Sequence, residues 1–139
     1  MRRSTELEQL VHDWFAAASL GDSTIVQRHV SPGAAVRLIG SDPTEWLQGG
    51  QDVAGFLTGE VEGGAGNVRF APSETEAYEE GTVGWAATRL TITLPDGNRV
   101  TPDGHRFSIE RTTCGSSCRH THRSAWRTIK SVGSTPDRG

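Results

Sequence analysis

The sequence predicts an α+β domain in which three N-terminal helices pack on one face of a curved antiparallel sheet. Three observations carry this. Apolar residues recur at helical spacing only in the first half; beyond Gly66 the segments become β-branched, aromatic and alternating; and the turn formers EEG, PDGN and CGSS separate those segments at hairpin intervals. With 139 residues the chain has the length for one core. The expected organisation is one domain over residues 1–130 and a frayed polar tail over 131–139.

The first helix is read from Leu7, Leu10, Val11, Trp14, Phe15 and Ala18, one stripe at i, i+3, i+4, i+7, i+8 and i+11. Thr5 and Glu8 have capping-box spacing at its start, and Gly21 suits the left-handed position at its end. A shorter helix starts at Asp22 or Ser23, carries Ile25, Val26, His29 and Val30, and is broken by Ser31-Pro32-Gly33. Residues 34–40 form a short strand, followed by the loop SDPTEWLQ. From Gly49 to about Glu62, the residues Val53, Phe56, Leu57 and Val61 return to helical spacing. Four hairpin-connected strands follow, over 68–80, 82–94, around 105–113, and 117–126. The repeated PDG at 102–104 delays or bulges the third of them.

Fourteen Lys plus Arg against seventeen Asp plus Glu leave a formal charge of −3, which argues against nucleic acid as a partner. Locally, Arg119, His120, His122, Arg123 and Arg127 make one basic stretch, but Trp126 is its only aromatic. No run approaches the ~20 apolar residues of a membrane span, and Arg2-Arg3 leads into polar STELEQ rather than an apolar leader core. These readings, with only two cysteines, predict a cytoplasmic protein without a membrane partner.

The order helix, short helix, strand, helix and long hairpins, with the strings WFAAASLGD, GSDPTEWLQGGQDVAGFL, EGTVGWAATRLTITLPDG and the H-x-H-x-S of His120, His122 and Ser124, resembles the nuclear transport factor 2-like superfamily, and within it SnoaL-like proteins. The resemblance covers most of residues 7–126. It implies a cone-shaped sheet, a cavity for a small organic ligand, and a homodimer formed through the sheet. Because this fold hosts isomerases, cyclases, dehydratases and plain binding or dimerisation modules, the site must decide among them.

Ketosteroid isomerases of this superfamily need a carboxylate base with an acidic Tyr and Asp at the oxyanion. Counted from Gly21-Asp22 and from Gly115, those three places fall on Leu38, Trp14 and Phe107. That mechanism is therefore not expected, and the three residues become candidates for lining the ligand. On an extended strand Cys118, His120, His122 and Ser124 share a face, which the resemblance makes the cavity face. His120 and His122 are the candidate acid/base pair; the alternative is a pair of ordinary hydrogen-bonded sheet residues. The same argument groups Trp85, Ala87, Arg89 and Thr91 and assigns them to the cavity. There the Arg89 fork would suit a ligand carboxylate or a carboxylate of the chain such as Glu110. Trp14 and Trp85 are read as wall and Trp46 as a residue of the mouth loop, beside Asp42 and Glu45; core filling is the alternative for each tryptophan. His12 is read as structural or solvated, and so is His29.

A metal is not expected. Residues 118 and 122 of a strand lie about 13 Å apart, too far for thiolate and imidazole to share a zinc ion, and a His120–His122 site would still need a third ligand such as His105 or Glu110. Cys114 and Cys118 flank a turn that would allow a disulfide, but a reducing compartment keeps them as thiols. No phosphate loop, H-E-x-x-H or G-x-S-x-G motif is present, so no cofactor is expected.

Overall fold

Ser4 opens the first helix, α1 (Thr5–Leu20), by accepting the Leu7 N–H at 3.4 Å on its hydroxyl. The cap is thus one residue earlier than the Thr5–Glu8 pair predicts, and Glu8 instead pairs with the Arg3 Nε at 2.6 Å. The computed structural model describes residues 1–39 and 44–101, with the backbone of two further strands at 106–112 and 125–127. Gly21 ends α1 at φ 71°, as the sequence predicts, and a Cβ on it would stand 2.3 Å from the Ala65 Cβ. Helix α2 (Thr24–His29) follows at once. Its cap is supplied by the Asp22 carboxylate, which accepts from the Thr24 N–H at 3.1 Å and the Thr24 hydroxyl at 2.6 Å. Those two bonds hold the Asp22 carboxyl below its ordinary pKa.

Strand β2 (Arg37–Ile39) pairs with β3 (Trp46–Gln48), so the segment read as a loop contains a strand. Three residues are too short for a period-2 pattern to register. Helix α3 (Gly50–Gly63) then leads to β4 (Arg69–Glu80) and β5 (Val83–Thr93), close to their predicted limits. The two-residue strands β1 (Arg2–Arg3) and β6 (Arg99–Val100) carry no sequence pattern and were not expected. Strand β7 (Arg106–Thr112) matches the third predicted strand; of the fourth, only β8 (Ala125–Arg127) lies within the described residues. The proposed tail at 131–139 lies outside them.

All pairings are antiparallel, in the order β1-β4-β5-β7-β8 with β6 on β5. Helix α1 packs across β4 and β5, where Ala77, Ala86 and Leu90 form a core with Leu7, Leu10, Val11 and Phe15. Small side chains let the helix come close: a Cβ on Gly84 would meet the Leu7 Cδ1 at 2.5 Å. A second cluster joins the three helices through Ala17, Ala18, Ile25, Val26 and Val61, and a third places Val36 and Leu38 against Val53 of α3.

The β4 edge is interrupted in four ways. Ser4 N–H donates to the Ala77 carbonyl at 2.9 Å, continuing the cover that β1 gives Tyr78 and Glu79. Pro72 lies in the strand, and a bulge sets Glu74 and Thr75 against Thr88 alone. Near its start, the Phe70 N–H donates to the Ser19 hydroxyl at 2.9 Å.

Candidate functional site

The helix-facing side of β4 and β5 is defined by its buried residues, Ala77 on one strand and Gly84, Ala86, Thr88 and Leu90 on the other. Strand parity therefore sends Trp85, Ala87 and Arg89 to the opposite side. The sequence groups these residues correctly but assigns them the wrong face, because an alternating pattern sorts side chains into two sets without saying which set meets the helices. Arg89 is 73% exposed and pairs with Glu74 at 2.7 Å, a carboxylate of the chain other than the Glu110 named from the sequence. Glu110 stands opposite Val83 and Arg127, at the far end of that sheet face. Trp85 stacks on Tyr78 across the strands with centroids 5.9 Å apart, also on the outer face.

Trp14 lies inside. Half-buried on α1, it packs against both the sheet cluster and the helix cluster, so its indole bridges the two. Leu38 is buried in the third cluster, which gives the place counted for an isomerase base an aliphatic core side chain. Trp46 is 58% exposed on β3. Phe107 stands opposite Ala86 in the β5–β7 register, a position on the helix-facing side. His120, His122, His105, Asp42 and both cysteines lie outside the described residues.

The interior polar groups on the first two long strands are largely spoken for. The Thr88 hydroxyl donates toward the Ser73 carbonyl at 3.0 Å and shares a 2.8 Å hydrogen bond with the Thr75 hydroxyl, which satisfies the bulge. Glu79 is the helix-facing carboxylate of β4 and β5, and it accepts from Ser4 at 2.9 Å and pairs with Arg2.

The sequence leaves His29 as structural or solvated, and the structure decides between the two. His29 follows Ile25 by four and Val26 by three, which places it on the packed side of α2. Its Nδ1 is buried and has no hydrogen-bond partner among the described residues. Burial, helped by neighbouring Arg28 and opposed by Asp13 of α1, holds the imidazole pKa below its usual 6.5. The spacing from Ile25 and Val26 was the available signal. Among the described residues no group of three metal-binding side chains forms, and no helix is long and apolar enough to cross a membrane.

Helices laid on one face of a curved antiparallel sheet, with that face interior, define the nuclear transport factor 2-like class of α+β proteins. A nuclear transport factor 2-like superfamily protein from Salmonella enterica subsp. enterica serovar Typhimurium str. LT2 has a similar structure, with TM-score 0.59 and 12% identity over 96% of this chain and 93% of that one. The SnoaL-like domain model matches residues 7–137, and the chain belongs to that family. No curated protein matches it significantly.

Proposed function

We propose that this protein binds a small organic molecule between its helices and the helix-facing side of the sheet, with Trp14 and Phe107 as apolar wall and His120 and His122 as its imidazoles. The reading draws its main support from the strand register. Ala86 stands opposite Phe107; Phe107, Ile109 and Arg111 alternate along one face; and Arg111 stands opposite Trp126. Residues 120, 122 and 126 have the same parity in the sequence, which groups both histidines with Trp126 by the alternation expected of an extended segment. Family membership agrees with ligand binding, and the isomerase mechanism is disfavoured by aliphatic Leu38 at the base's place.

Thermal shifts of the full chain against a panel of small aromatic acids and alcohols test the reading. A stabilising compound should lose its effect in Trp14→Ala and in the His120→Ala/His122→Ala double variant, and keep it in Arg89→Ala. Retention in the first two and loss in the third would move the site to the outer sheet face.

That outer face, with the Tyr78–Trp85 stack at its centre, is the surface we assign to a second copy of the chain. A Trp85→Glu substitution should then halve the mass in sedimentation equilibrium; an unchanged mass would reject the assignment.

A further inference from the structure

We propose that His29 is a ligand-contacting residue whose Nδ1 hydrogen-bonds the hydroxyl of a small neutral aromatic molecule held where α1, α2 and β8 meet. The proposal rests on the interior ligand site above and adds a contact and a ligand chemistry to it.

A buried ring nitrogen without a partner forfeits a hydrogen bond that water would supply, so native interiors rarely leave one open. In the described structure Nδ1 is such an atom. Its position is not peripheral. The packed side of α2 joins the cluster against which Trp14 and Val30 lie, and α2 also lies against β8, whose Trp126 continues the helix-facing register. His29 therefore lies on the side of α2 that carries Ile25 and Val26 into the cluster Trp14 packs against.

The surroundings choose the ligand. Ile25 and Val26 are packed by the chain itself, but half-buried Trp14 beside them keeps apolar ring surface, which favours a flat hydrocarbon body. Arg28 and Asp13 act on the imidazole with opposite sign, so the surroundings give no marked preference for an anion or a cation. A neutral hydroxyl suits that balance. It also donates and accepts, so it completes Nδ1 in either imidazole tautomer.

The test uses the 15N-labelled full chain with phenol as probe and toluene, its counterpart without the hydroxyl, as control. The His29 signals are assigned by their loss in His29→Gln. The expected result is an Nδ1 resonance of an unbonded nitrogen in the free protein, moved by phenol and left in place by toluene. In His29→Phe, which keeps a ring in the space, phenol should stabilise no more than toluene does. An Nδ1 already hydrogen-bonded in the free protein, by water or by the chain, overturns the proposal. So does phenol stabilisation that survives His29→Phe. If the probe's effect disappears in Trp14→Ala while His29 never responds, the interior site stands and this contact falls; if neither responds, both readings fall.

Discussion

His29 sits half-buried between Arg28, its neighbour on α2, and Asp13 of α1, with its pKa lowered chiefly by burial. The unfolded chain therefore takes up the proton first. The sign follows: folding stability is at its fullest above the unfolded value near 6.5 and declines as pH falls through it toward the lower folded value. Denaturation midpoints between pH 7.5 and 5 should show that decline, and His29→Phe should flatten it. Thr88 makes a different residue-scale case. Replacing its buried hydroxyl in Thr88→Val strips bonds from the Ser73 carbonyl and Thr75 and should cost about 1–2 kcal/mol in urea denaturation with an unchanged slope. The Arg89–Glu74 pair belongs at the other extreme, since both side chains are mostly exposed. Arg89→Ala should change stability by less than about 1 kcal/mol. Glu74 itself holds φ 48°, where a side chain crowds the backbone, so Glu74→Gly should gain up to about 1 kcal/mol despite losing the pair.

At the scale of elements, α3 gives a contrast within a single helix. Gly55 and Gly59 face open space, and a Cβ on either meets nothing within 4 Å. Each change to Ala should raise stability by about 0.5–1 kcal/mol. Gly50, at the same helix's start, would place a Cβ 1.8 Å from the Ser31 carbonyl oxygen, so Gly50→Ala should lower the thermal midpoint of the same preparation. The long elements were legible in the sequence for a physical reason: α1 and β5 each repeat one burial period over ten or more residues, and β4 does so in two runs on either side of its bulge. Strands β1, β3 and β6 have two or three residues and owe their existence to a neighbour's edge, which local pattern does not encode. The site was half legible on the same grounds. Trp14 belongs to a helical stripe whose inside is set by its own neighbours, whereas Trp85 and Arg89 sit on a strand where the inside depends on where α1 packs. His29 stayed open between structural and solvated because a lone histidine beside an arginine does not say which side of a short helix is packed until the packing of α2 is known.

Among the described residues three apolar clusters form rather than one, and their sharing decides cooperativity at the scale of the whole molecule. Trp14 and Phe70 touch the first two, and Val30 and Leu57 touch the second and third. Trp14→Ala should therefore cost about 2–4 kcal/mol and broaden no transition, because the first two clusters lose their shared contact at once. Fluorescence and circular dichroism melts that separate in this variant would show the clusters to be independent. The edge of β4 bears on a property of the protein in bulk. A long strand with free amide groups invites the corresponding strand of another molecule, the first step toward fibrils. Here Pro72 withholds an amide, the bulge at Glu74 and Thr75 turns the ribbon out of plane, and Arg2 and Arg3 occupy the far end. Concentrated solutions should stay clear as long as those first residues remain in place, and a preparation trimmed of them would be the one to gel.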